Sequence, residues 1–74
     1  MKAENRAVRK FGRRVRDLRH ERGWSQEVLA DELEVDRSYI SSLERGLRNP
    51  TLRTMSKIAQ IFKVDIVFNG AVLG

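Results

Sequence analysis

Apolar residues recur along this chain in two rhythms. Val8, Phe11, Val15 and Leu18 are separated by three, four and three positions, the spacing that gathers side chains on one face of a helix. The first segment therefore reads as a helix over about residues 5–22. Gly23 is its stop, and Arg19, His20 and Arg22 fall in a last turn where cations complement the helix dipole. Gly12 sits inside this pattern, at an expected cost of about 1 kcal/mol relative to alanine. Ser25 reads as an N-cap for a second helix over 25–33, with Val28, Leu29 and Leu33 inward and Ala30 small enough for a close crossing. After a short break at Glu34-Val35, Asp36 caps a third helix over 36–45. Ile40 and Leu43 face inward there, and Gly46 ends it. Pro50 bars continuation. Thr51 then caps a fourth helix over 51–62, whose apolar face is Leu52, Met55, Ile58, Ala59 and Phe62.

The tail has a different period. Val64, Ile66 and Phe68 alternate with Lys63, Asp65 and Val67, and Asn69-Gly70 is a strong short-range hairpin signal. The segment reads as a strand over 64–68, with a short fifth helix ending at Asn69-Gly70 as the alternative. A lone hairpin is marginal in water, so the strand requires a partner, and the same strand of a second chain would serve. Val64, Ile66 and Phe68 are thus candidate dimerisation residues. The fold class is mainly α: one domain over 1–74, four helices and a short C-terminal strand or hairpin.

Length and composition narrow the function. Seventy-four residues suffice for one thin core. There is no cysteine, which excludes disulfides, iron–sulfur clusters and thiolate zinc sites and suits a cytoplasmic protein. The basic N-terminus has no apolar stretch behind it, so it does not read as a secretory signal, and no run approaches the ~20 apolar residues of a membrane span. Charge is segregated. Residues 1–22 carry nine Lys/Arg against three Asp/Glu, residues 23–36 none against five, and residues 37–63 six against one. Such blocks, at a pI near 10.5, suit a polyanionic partner. One histidine, no cysteine and no glycine-rich phosphate loop give an enzyme nothing to work with. The single His20 has no second ligand nearby, so neither a metal nor a cofactor is expected.

The specific signal is a set of short elements in fixed order: Ser25-Gln26, Leu29-Ala30, Tyr39-Ile40-Ser41, and Glu44-Arg45-Gly46 followed by Arg48-Asn49-Pro50-Thr51-Leu52. Together they resemble the Xre/Cro-like helix-turn-helix family of phage repressors, restriction–modification controllers and antitoxins, over roughly residues 8–62. The resemblance implies a lambda-repressor-like four-helix fold that binds double-stranded DNA as a homodimer, with the third helix as recognition helix. Because Ile40 and Leu43 point inward, Arg37, Ser38, Ser41 and Ser42 point outward and become the candidate base contacts. Arg37 has the fork that fits guanine O6 and N7, and a cation at a helix N-terminus opposes the dipole, so its placement asks for another reason. Gln26, Tyr39, Arg48, Asn49 and Arg53 are the candidate phosphate or groove contacts. Of the cationic run Arg6, Arg9, Lys10, Arg13, Arg14 and Arg16, one or two members are expected at flanking phosphates. The resemblance also implies a partly buried Arg19–Glu44 salt bridge joining the first and third helices. Trp24 is expected to plug the edge of the core.

Two departures stand out. Relatives commonly carry glycine where this chain has Glu34, which is strained if the backbone there needs positive φ. The short tail resembles Hip-type antitoxins, whose strand pairs across the dimer. The expected function is a homodimeric transcriptional regulator on a pseudo-palindromic operator. The alternatives are an antitoxin, with Glu27, Asp31, Glu32 and Glu34 facing a partner toxin, or a restriction–modification controller.

Overall fold

In the computed structural model, residues 3–67 and 72–73 are described, with side chains over 6–65. The helices are α1 (Ala3–Glu21), α2 (Gln26–Leu33), α3 (Arg37–Glu44) and α4 (Leu52–Phe62). Each of the last three opens on the capping residue expected from its sequence. Ser25 Oγ accepts from Val28 N–H, Asp36 Oδ2 from Ser38 N–H, and Thr51 Oγ1 from Thr54 N–H, at 3.1–3.2 Å. Each cap satisfies a donor the helix cannot, at a typical value of about 1 kcal/mol.

All four helices also end alike. Gly23, Glu34, Gly46 and Lys63 have φ between 56° and 73°, and the residue after each donates back five positions: Trp24 to Arg19, Val35 to Ala30, Leu47 to Ser42 and Val64 to Ala59, at 2.9–3.0 Å. This double closure turns the chain sharply and pairs the last carbonyls. Trp24, Val35 and Val64 then fold onto the core, so the helix endings also seal it. Glu34 and Lys63 hold the left-handed conformation without glycine's freedom, a cost of about 1–2 kcal/mol for an L-residue.

The core takes Phe11, Val15 and Leu18 from α1, Leu29, Ala30 and Leu33 from α2, Ile40 and Leu43 from α3, and Ile58 and Phe62 from α4. Full burial of such side chains is worth about 1.5–3 kcal/mol each. Two expected core residues are exposed, and Val8, Met55 and Ala59 are only half-buried. Val28 is 39% exposed, because it sits at the edge of the stripe made by Leu29, Ala30 and Leu33. Leu52 is 62% exposed, because α4 begins a turn before it reaches the core. At the far end, Trp24 stacks on Phe62 with ring centroids 5.6 Å apart, and the Arg22 guanidinium lies 5.4 Å from each ring while donating to the Phe62 carbonyl at 3.1 Å. Arg22 thus ties the end of α1 to the end of α4, a tertiary role beyond complementing its own helix dipole.

Of the expected strand over 64–68, only Ile66–Val67 is paired, and within the one chain. Val64 is spent on closing α4, its N–H donating to Ala59 at 3.0 Å. Phe68 lies outside the described residues. What the described backbone carries is a two-residue antiparallel pairing of Ile66–Val67 with Val72–Leu73 within the one chain, too short to add a layer. The architecture is four helices.

Gly12 turns out to be a packing requirement. A Cβ at this position would lie 2.2 Å from the Leu43 carbonyl oxygen and 3.0 Å from that of Glu44, so only hydrogen lets α1 cross α3 this closely. In an unpacked helix, Gly→Ala stabilises by about 1 kcal/mol. Here Gly12→Ala should destabilise by about 2–3 kcal/mol or more, whereas Glu34→Gly, which relieves a left-handed residue, should stabilise by about 0.5–1 kcal/mol. Urea denaturation of the two variants checks the pair, and the same sign for both would contradict these backbone roles.

Candidate nucleic-acid interface

α3 has two unlike faces. Ile40, Leu43 and Glu44 are buried, Ser41 and Ser42 are half-buried, and Arg37 and Ser38 are exposed. The buried face fixes the helix on the core, and the other presents hydroxyls and a guanidinium to solvent. The Asp36 cap holds the exposed end. Its carboxylate accepts the Ser38 hydroxyl as well as the Ser38 N–H, and those two bonds, with Arg37 alongside, hold its pKa below the ordinary aspartate value. Asp36 thus stays charged at the positive end of the helix, where a carboxylate is favoured.

Beneath this face lies the Arg19–Glu44 ion pair. Arg19 Nε donates to Glu44 Oε2 at 2.7 Å and Arg19 Nη2 to Glu44 Oε1 at 3.0 Å, while Nη1 donates to the Trp24 carbonyl at 2.7 Å. Both side chains are buried, 9% and 4% exposed. Hydrogen bonding and charge from Glu44 raise the pKa of Arg19 against the opposing effect of burial. Gln26 extends the cluster. Its Nε2 donates to Glu44 Oε1 at 3.2 Å, and its Oε1 accepts from Arg37 Nη1 at 3.3 Å. One carboxylate therefore connects α1, α2 and α3, and Gln26 carries the connection to the exposed tip of α3. Among the described residues no buried side-chain polar atom lacks a partner.

The loop after α3 folds back on it. The Arg48 guanidinium lies 5.0 Å from the centroid of the half-buried Tyr39 ring, a cation–π distance. Asn49 and Arg53 are exposed further along the loop and at the start of α4. Thr51 Oγ1 is engaged with Thr54. On the opposite flank, an open cleft of about 290 Å³ between α1, α2 and α3 is lined by Arg16, His20, Gln26, Ser41, Arg45 and the ion pair. Arg16, His20 and Arg45 are exposed at its rim. Arg16 and His20 are four positions apart on one face of α1, and the fold brings Arg45, at the end of α3, beside them.

The structure thus brings Gln26, Arg37 and Glu44 into one chain of hydrogen bonds and stacks Arg48 on Tyr39. It places Ser38, Ser41 and Ser42 along the outer side of α3, and leaves Asn49 and Arg53 exposed without a mutual contact. Of the expected dimerisation residues, Val64 is half-buried against its own core, while the Ile66 and Phe68 side chains lie outside those described. Among the described residues, no group of three His, Cys, Asp or Glu could hold a metal ion, and no helix is long and apolar enough to cross a membrane. The arrangement offers donors and cations along the outer face of α3, the chemistry of a binding surface.

Comparison with known proteins gives the same picture. The helix-turn-helix family profile matches residues 15–69. The transcriptional regulator RamB of Mycobacterium tuberculosis is 44% identical over 57 residues, which cover 77% of this chain and 12% of RamB. This chain thus spans a small part of that regulator's length. The restriction–modification controller C.AhdI from Aeromonas hydrophila superposes with a TM-score of 0.73 at 43% identity, covering 78% of this chain and 88% of that one. C.Esp1396I, solved as a tetramer with its natural 35 base-pair operator, superposes at 0.71 with 34% identity, covering 80% and 78%.

The ion pair yields a stability prediction. Glu44→Ala leaves a buried guanidinium without its carboxylate and should cost about 3–5 kcal/mol. Replacing both partners by apolar residues, Arg19→Met with Glu44→Leu, should recover most of that loss. Urea midpoints of the single and double variants measure it, and additive losses in the double variant would show that the two side chains do not act as a pair.

Proposed function

The chain belongs to the Xre/Cro-like helix-turn-helix family, and on that premise we propose that it is a transcriptional regulator that binds double-stranded DNA sequence-specifically as a homodimer. The observation that carries this reading is the outward face of α3. Arg37 and Ser38 are exposed and Ser41 and Ser42 half-buried, on a helix held from below by Ile40, Leu43 and the Arg19–Glu44 pair. An α-helix of about 10–12 Å fills a major groove of about 12 Å. In this reading Arg37 forks onto a guanine, and the serines reach base edges or adjacent phosphates. Gln26, Tyr39, Arg48, Asn49 and Arg53 hold the backbone, with Arg16 and Arg45 adding charge at the cleft rim.

One recognition helix reads too few base pairs to select a promoter. Two, roughly 34 Å apart on a pseudo-palindrome, read enough. C.Esp1396I bound to its operator as a tetramer supports an oligomer on DNA. Of the narrower roles, a restriction–modification controller is favoured, because C.AhdI and this chain match over most of both lengths. The antitoxin reading leaned on a tail strand pairing across a dimer, whereas Ile66–Val67 pairs within its own chain.

Selection from random duplex should enrich an inverted repeat, and failure to enrich one would end this reading. On the selected duplex, Arg37→Ala should relax preference at one base pair per half-site by about 1–3 kcal/mol. Arg48→Ala should weaken all sequences alike and lower the salt slope by about one. Fluorescence anisotropy over a salt series separates the two variants, and identical behaviour would contradict the division between base and phosphate contacts.

A further inference from the structure

His20 is the one side chain of the cleft that the proposed interface leaves without a task. It stands on α1 one turn after Arg16, and both line the cleft that Gln26, Ser41 and Arg45 complete from α2 and α3. Arg16, His20 and Arg45 are all exposed at its rim. Among the described residues, the Arg16 and His20 side chains make no hydrogen bond or ion pair, and Arg45 spends only its Nε, on the Ser41 carbonyl at 3.4 Å. The carboxylate that lines the cleft does not compete for these cations. Both Glu44 oxygens accept from Arg19, at 2.7 and 3.0 Å, and Gln26 adds a third bond at 3.2 Å. The acids near His20 along α1 are engaged elsewhere: Glu21 lies 3.7 Å from Arg14, and Asp17 lines a separate cleft with Lys10, Arg13 and Arg14. What α2 contributes is the neutral Gln26. The cleft therefore gathers donors without a free carboxylate, and Ser41 and Gln26 make it continuous with the outer face of α3.

We propose that this cleft seats a phosphate of the DNA backbone and that His20 takes up a proton as the phosphate enters, so that the protein binds DNA more tightly as the pH falls from about 8 to about 6. The proposal rests on the DNA-binding reading and assigns one backbone contact within it. A phosphodiester carries one negative charge throughout this range, and arginine keeps its proton. Histidine is the side chain whose ordinary titration falls in the interval, and a neighbouring negative charge favours its charged form. In the free protein the cationic groups facing the cleft are Arg16, Arg19 and Arg45, with Arg19 committed to Glu44. An entering phosphate reverses the sign of the charge that the imidazole meets. The imidazolium then donates to a phosphate oxygen with Arg16 and Arg45 alongside, a charge-assisted contact. The linkage is reciprocal: whatever the phosphate adds to proton affinity, the proton adds to phosphate affinity. A lysine or arginine at position 20 would supply a constant attraction instead.

The test measures binding of the full chain to the inverted repeat selected from random duplex, by fluorescence anisotropy at fixed salt between about pH 8 and 6. The wild-type dissociation constant should fall by about tenfold across this range, about threefold at each half-site. The salt slope should be steeper at the acid end by about one per half-site, the mark of an added cation at a phosphate. His20→Gln keeps a polar side chain without a titrating group, and its dissociation constant and salt slope should not change with pH. His20→Arg should also be flat in pH, with the steeper slope throughout. Calorimetry at neutral pH in two buffers of different ionisation enthalpy should show proton uptake on binding by the wild type and none by His20→Gln. The N-terminal amine is common to all three proteins and cancels in the comparison. A wild-type pH dependence no greater than that of His20→Gln overturns the proposal and leaves the DNA-binding reading standing. If no inverted repeat is enriched, that reading falls, and the phosphate seat with it. Thermal melting of each protein at both ends of the range separates changes in folding from changes in binding.

Discussion

A carboxylate and a guanidinium with almost no access to water set the geometry of this molecule. Removing two such charges from solvent is costly, and their attraction offsets it only when the geometry is good and the remaining donors are occupied. Both conditions hold: all three donor nitrogens of Arg19 are engaged, and Glu44 accepts from both Arg19 and Gln26. Such a pair is weak evidence for extra stability, because an apolar pair of similar volume would serve as well or better. What it supplies here is direction. Its partners lie on α1, α2, α3 and the loop at Trp24, so α3 has one acceptable position relative to the other two helices.

The helix ends complement this constraint. A domain of this size has little core with which to resist sliding between helices. Left-handed residues at the four C-termini and side-chain caps at three N-termini define the turns in the backbone itself. Between α2 and α3 the left-handed Glu34 and the Asp36 cap lie two residues apart, which makes the turn tight. At Gly12 the constraint is steric, since α1 approaches the backbone of α3 to within the space of a hydrogen atom. The face of α3 that meets solvent is thus positioned by backbone geometry on two sides and by a buried charge from beneath.

Much of this was legible in the sequence because it is local. Periods of three and four marked the helices, and Ser25, Asp36 and Thr51 marked their starts to within a residue. The Arg19–Glu44 pair came from family resemblance, as no local rule joins residues 25 positions apart. What escaped was tertiary. Gly12 looked like a cost, Arg22 like a dipole complement, and the Gln26 link to Arg37 and the Arg48 stack on Tyr39 left no periodic trace. The tail was legible in part: Ile66–Val67 does pair antiparallel with Val72–Leu73, but Val64 is committed to ending α4 and so stands outside the strand. Val28 and Leu52 misled because apolar character at the margin of a short helix does not guarantee that the core extends beneath it.

The central claim is that the outer face of α3 enters the major groove. Methylation interference on the selected duplex tests it most directly, since methyl groups at guanine N7 project into the major groove and those at adenine N3 into the minor groove. The account predicts that N7 methylation of a guanine in each half-site blocks binding. Tolerance of N7 methylation throughout the site, with interference confined to adenine N3, would contradict it.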